Sequence, residues 1–342
     1  MHTFNEEASD HYFSGSPLLH YVAWNPWPSH REHGIVGDGE LAMPDSMPQI
    51  ARTLLDQGAD PNAPNGRGHT VLDLLFTSQL ASAAGQTRAL AKVLIAAGAS
   101  FSATVSAVRS ALANHAPEAA RFLIDEGVPW DLPAAAGLGE LERLQAMVAT
   151  TPPSAQELGL ATLHAYVIGQ PDAFEWLLTQ APDLDVIGVG NGTLLHRACA
   201  AGQLDLVERL LKLGADLNNR DNPFWATPLD WAEHGGQTDT VAWLIRHASH
   251  RLDLFQAAAY DLTSRIEAVL GDEPKAVHEV RRIWRYDAIQ PLRVAVIRGH
   301  EAASRTLLAR GAEAQHRGAD GWTALDHAND HGNPTLIALL ER

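Results

Sequence analysis

The chain has 342 residues, 46% of them hydrophobic, with 25 Lys and Arg against 41 Asp and Glu, a formal net charge of −16 and a pI near 5.4. That balance argues against a nucleic-acid or anionic-membrane binder, because phosphate contacts need a basic face. Its one cysteine, Cys199, rules out a disulfide within the chain, and no run of 18 apolar residues is present.

Residues 1–15 read as a polar, acidic lead-in. Pro17-Leu18-Leu19-His20-Tyr21-Val22-Ala23 opens a first helical unit, whose second helix, Pro48 to Leu55, comes late. His20 to Gly58 is 38 residues, where later units take 18, so about 20 residues are inserted, at about 24–47. A loop that long inside a compact unit is functional or disordered. Thr70-Val71-Leu72-Asp73 to Gly98 has a smaller insert, which predicts lengthened helices over 77–88. The next unit, 106–127, is degenerate, with Pro117 opening its second helix. Leu132-Pro133-Ala134-Ala135-Ala136 follows Trp130 with almost no room for a connecting loop. Pro133 falls inside the expected first helix there, which marks 105–155 as a weak stretch. Residues 161–178 form another pair.

The clearest unit runs from Thr193 to Asn218. Thr193 is an N-cap, and Leu194, Leu195, Ala198 and Cys199 follow at helical spacing. Gly202 breaks that helix. Leu206, Val207, Leu210 and Leu211 make the apolar face of a second, which ends with Lys212 in its last turn and Gly214 as left-handed cap. Thr227-Pro228-Leu229-Asp230-Trp231-Ala232 repeats the opening 34 residues on. Residues 254–270 echo the Ala-rich, short-looped unit at 132. Gln290-Pro291-Leu292-Arg293-Val294-Ala295 and Thr323-Ala324-Leu325-Asp326-His327-Ala328 repeat the opening again, 33 residues apart. Neither short helix of a unit can bury its apolar face alone, so copies must stack.

A period of about 33 with Thr-Pro-Leu-His-x-Ala and a closing Gly-Ala-Asp resembles the ankyrin repeat. The resemblance covers nearly the whole chain. It implies an all-α solenoid of about ten stacked helix-turn-helix units with finger loops, a single domain over 16–342. It also implies that His20, His164 and His196, at the fourth position of the motif, are structural hydrogen-bonders, with Asp230 and Asp326 substituting there. Ankyrin proteins mostly mediate protein–protein contacts, so the expected function is a cytoplasmic, non-enzymatic binding scaffold without a cofactor.

Two groups of residues are not required by the repeat. The insert carries Trp24, Trp27, His30, Glu32 and His33. His30, Glu32 and His33 are weak metal-ligand candidates, and with the two tryptophans they define a rival reading, an enzyme whose pocket the insert covers. The fingers carry Trp225, Arg281, Arg282, Trp284, Arg285, Tyr286 and Trp322. Trp, Tyr and Arg are the types enriched at binding hot spots. Three arginines in five residues of an acidic chain would steer an acidic segment of a protein partner. Equally, they could pair with Glu279, Asp287 and Asp272 and only tie the loop down. The unit at 254–270, with its short finger, would leave a gap between Trp225 and that cluster.

Overall fold

The computed structural model describes residues 17–23, 43–66, 68–100, 104–188, 191–221, 225–283 and 286–341, the side chains of Val105 and Tyr286 excepted. Trp24, Trp27, His30, Glu32, His33, Trp284 and Arg285 lie outside them. The fold is an all-α ankyrin-type solenoid of helix pairs, and it divides into two compact units, 1–183 and 184–342.

In the first unit a 3-10 turn, Leu18–Ala23, precedes α1 (Met47–Asp56), α2 (Val71–Phe76), α3 (Gln79–Ala83), α4 (Thr87–Ala96), α5 (Val105–Ala113), α6 (Pro117–Asp125), α7 (Leu132–Gly137), α8 (Leu141–Thr150), α9 (Ala155–Ile168) and α10 (Pro171–Leu178). The insert at 77–88 does not lengthen its neighbours. Ser78 turns extended and its hydroxyl accepts from Ala81 N, so α3 starts afresh as a separate short helix. Pro133 is not a break either. It stands in the first turn of α7, whose cap Asp131 accepts from Ala134 N, and there its missing N–H has no helical acceptor to lose. Pro133 and Ala134 to Ala136 are buried, and α7 packs along α9.

The second unit holds α11 (Leu194–Ala200), α12 (Leu204–Lys212), α13 (Pro228–His234), α14 (Thr238–Ala248), α15 (Leu254–Ala259), α16 (Thr263–Asp272), a hairpin of β1 (Arg281–Ile283) and β2 (Tyr286–Ile289), then α17 (Pro291–Ile297), α18 (Glu301–Ala309), α19 (Ala324–Asp330) and α20 (Pro334–Leu340). Thr193, Thr227 and Thr323 each cap a first helix, the hydroxyl accepting from the third helical residue's N–H while the Thr N–H donates to that residue's side chain, as the Thr-x-x-His/Asp spelling requires. Gly202 and Gly214 sit at φ +67° and +103°, where only glycine is unstrained. Val207 and Leu210 of α12 are fully buried, each contributing about 1.5–3 kcal/mol.

Polar side chains set the repeat spacing. Asn62 donates to Gly98 O at 2.8 Å and accepts from Ser100 N, and Asn218 donates to Arg251 O at 2.7 Å and accepts from Asp253 N. First helices stack on first helices: α11 on α13, α15 on α17, α17 on α19. Across the join between α13 and α15, side chains form hydrogen bonds, and these frame the site described next.

Candidate functional site

The helix pair α15–α16 has no finger of its own. Only a 3-10 turn, Ser249–Arg251, leads into its cap, Asp253. The neighbours do have fingers: the described residues 219–221 and 225–226 belong to the one before α13, and the β1–β2 hairpin stands before α17. Over α15, between them, lies a cleft of about 500 Å³. Its apolar wall is Phe255, Ala259, Ile283, Ile289, Val294 and Ile297, and its polar members are Arg220, Asp230, Gln256 and Arg298.

The charges around the cleft are matched inside the protein. Asp253 accepts the N–H of Gln256 on Oδ1, while Oδ2 takes Arg220 Nη2 at 2.7 Å and Arg281 Nη1 at 2.6 Å. One capping carboxylate thus ties both flanking fingers to the unit that lacks one. Arg281 also holds Glu279 with two bonds and lies over the Phe255 ring, 4.6 Å from its centroid. Across the cleft, Arg298 grips Glu233 with two bonds of 2.6 and 2.7 Å, and Tyr260 donates to the same carboxylate at 3.0 Å. That link joins the ends of α13, α15 and α17. The Arg298 bonds hold the Glu233 carboxyl below the usual range. Burial pushes Asp230 the other way, upward, against two hydrogen bonds from Thr227.

The fourth motif position behaves as the resemblance implies wherever it is histidine and its bonds are resolved. His20 Nε2 meets His69 O at 3.1 Å and His196 Nε2 meets Ala226 O at 3.0 Å, each reaching the turn before the following helix pair. His196 Nδ1 accepts from Thr193 N and Oγ1, so the ring is the neutral Nε2–H tautomer; burial drives its pKa down to about 4. In α15 this position is Gln256. It reaches back instead, and Nε2 donates to Thr227 Oγ1 at 2.6 Å.

The other finger residues are dispersed. Trp225, at φ +58°, is 51% exposed, and its carbonyl accepts from Arg220 Nη1. Arg281 is spent on Asp253 and Glu279, whereas Arg282 is exposed on β1. Tyr286 opens β2, and its backbone pairs with Ile283. Trp322 packs on His327, ring centroids 4.9 Å apart, in a separate open groove with Arg317, Asp320, Asp326 and Asp330. Trp322 and the cleft therefore do not share one pocket. Glu279 takes Arg281, as the local sequence suggests, and the second partner is Asp253, 28 residues away, whose place before Leu254 marks it in the sequence only as a cap. Gln256, Glu233, Tyr260 and Arg298 carried no such signal.

Among the described residues no group of three or more His, Cys, Asp or Glu could hold a metal ion. Cys199 is fully buried, which raises its thiol pKa to about 12. No described helix is long and apolar enough to cross a membrane.

A family model for ankyrin repeats, in three copies, matches residues 162–253. The chain is 26% identical over 254 residues to the putative palmitoyltransferase ZDHHC13 of Danio rerio, covering 63% of this chain and 35% of that protein. It is 38% identical over 68 residues to protein phosphatase 1 regulatory subunit 27 of Mus musculus, covering 20% of this chain and 44% of that protein. The chain thus spans less than half the length of either relative. The family match contains Arg220, Trp225, Asp230 and Asp253 and stops before the apolar wall of the cleft; over residues 162–253 this chain is made of ankyrin repeats.

Proposed function

We propose that the protein is a non-enzymatic, cytoplasmic adaptor that holds a segment of a partner protein across the fingers and first helices of its second unit. The observation that carries this reading is the cleft over α15: walled by six apolar side chains and flanked by Arg220 and Arg281, which ion pairs to Asp253 hold in place. Preorganised apolar anchor sites are where partner side chains deliver most of their binding energy. Ankyrin repeats, and the likeness to a phosphatase regulatory subunit, support a role in protein interaction. The partner's anchor enters the cleft, and an acidic residue beside it meets Arg282.

Peptide display against the full chain tests this. Selected peptides should lose at least tenfold in affinity on Ile297→Arg, which puts a charge into the cleft wall. Leu213→Arg, at a site 51% exposed and away from the cleft, should leave them bound. Peptides that bind equally well to both variants would refute the docking site.

A further inference from the structure

The cleft holds an unmatched charge, and this inference rests on the docking reading above. Three arginines stand around it. Arg220 and Arg281 share Asp253, Arg281 also holds Glu279, and Arg298 holds Glu233. Asp230, which lines the cleft, is a fourth carboxylate and bonds none of the three. Its Oδ2 accepts Thr227 N at 2.8 Å and Thr227 Oγ1 at 2.9 Å, both neutral donors. Oδ1 has no hydrogen-bond partner among the described residues; the side chain is half-buried, and Oδ1 is open to the cleft that it lines. Arg220 and Arg298 act on Asp230 only through space. Arg282, exposed on β1, does not line the cleft. The cleft therefore carries one carboxylate more than its guanidinium groups match.

Asp326 shows that the site, and not the motif, sets this state. It holds the same motif position, and its Oδ2 takes the same two bonds from Thr323. Those bonds hold the Asp326 carboxyl below the usual range, whereas burial raises that of Asp230. Burying a carboxylate without a counter-ion is costly, and the unbound protein already bears that cost. A cation entering the cleft would relieve it. An anion would meet Asp230 and would have to displace Glu233 or Asp253 from their arginines. The acceptor geometry then selects among cations. Guanidinium pairs two parallel N–H groups with two oxygens, and here only one is free. An ammonium needs a single oxygen, and its methylene stem suits the six apolar side chains of the wall. Gln256 adds no competing contact, since Nε2 is used by Thr227 and Oε1 is enclosed.

We infer that the cleft receives a lysine side chain of the partner segment, its methylenes against the apolar wall and its ammonium on Asp230 Oδ1. The ammonium supplies the counter-ion that the helix stack leaves out, and the apolar wall keeps water from screening the pair.

The test uses Nα-acetyllysine methylamide, its Nε-acetyl derivative and the corresponding norleucine and arginine compounds as probes, titrated into the full chain by NMR. The lysine probe should bind at least tenfold more tightly than the Nε-acetylated and norleucine probes, which lack the charge, and more tightly than the arginine probe. Asp230→Asn keeps an oxygen for the Thr227 donors and removes the charge. It should bring the lysine probe down to the level of the norleucine probe while helical content stays unchanged. Ala259→Leu, which fills the cleft, should abolish binding of the lysine probe. Equal affinity for the lysine and norleucine probes, a preference for arginine, no binding of any probe, or a lysine preference that survives either substitution overturns the inference. If Asp230→Asn does not fold, the probes on the unaltered protein and on Ala259→Leu still decide. Displayed peptides that need the cleft yet tolerate replacement of every lysine would sink this inference and leave the docking reading standing. Absence of any cleft-dependent peptide would sink both.

Discussion

His196 illustrates how a repeat histidine earns its place. Its Nδ1 faces two donors from Thr193, and its Nε2–H is used by Ala226 O, so a second proton has nowhere favourable to go. The unfolded chain titrates this ring near pH 6.5, the folded one near 4. The folded pKa is thus depressed. The stabilisation is whole above pH 6.5 and drains away as pH falls toward 4, by roughly 2–3 kcal/mol at pH 4.5. Urea unfolding at pH 7.5 and 4.5 should therefore show a larger acid loss for the native chain than for His196→Gln, which cannot titrate. An identical acid loss in both would remove His196 as the source.

Helix starts are where the sequence writes its instructions most plainly. Thr227 caps α13 by accepting from Asp230 N, donates its own N–H and hydroxyl to the Asp230 carboxylate, and also accepts from Gln256 in the next first helix. Thr227→Ala removes a cap and two cross-bonds together and should cost about 1–2 kcal/mol. Pro133 is the contrasting case. It occupies the first turn of α7 and forfeits no helical hydrogen bond, so Pro133→Ala should change stability by under about 1 kcal/mol. Thermal melts of the two variants check both outcomes. A Pro133 variant that is markedly stabilised would mean that the proline strains α7 after all.

Over the whole molecule the buried apolar side chains fall into clusters that share no residues. One takes in Leu19 through Ala134, another Leu254 through Leu340. Repeat arrays are stabilised by near neighbours, so each cluster should open as its own cooperative group. Native-state hydrogen exchange in low denaturant should give amides of 71–125 and of 254–309 two distinct limiting free energies. Convergence of all slow amides on one value would contradict this.

The sequence by itself determined the helix pairs, their caps and their turns. Thr193, Gly202 and Gly214 act through bonds and backbone angles within a few residues, and such local chemistry is spelled in order along the chain. It also determined the gap over 254–270, because finger length is counted directly. Only the tertiary structure decided what fills that gap's edges. Asp253 draws in Arg220 from 33 residues upstream and Arg281 from 28 downstream, and Arg298 meets Glu233 across 65 residues. A charge in the sequence carries no mark of its partner. The cationic patch legible at 281–285 therefore divides in space: Arg281 turns inward to its carboxylates, and Arg282 remains at the surface. Gln256 makes the same point for hydrogen bonds. Its place in the motif was readable, but its reach back to Thr227, and the acceptor left over, follow from how α13 and α15 stack.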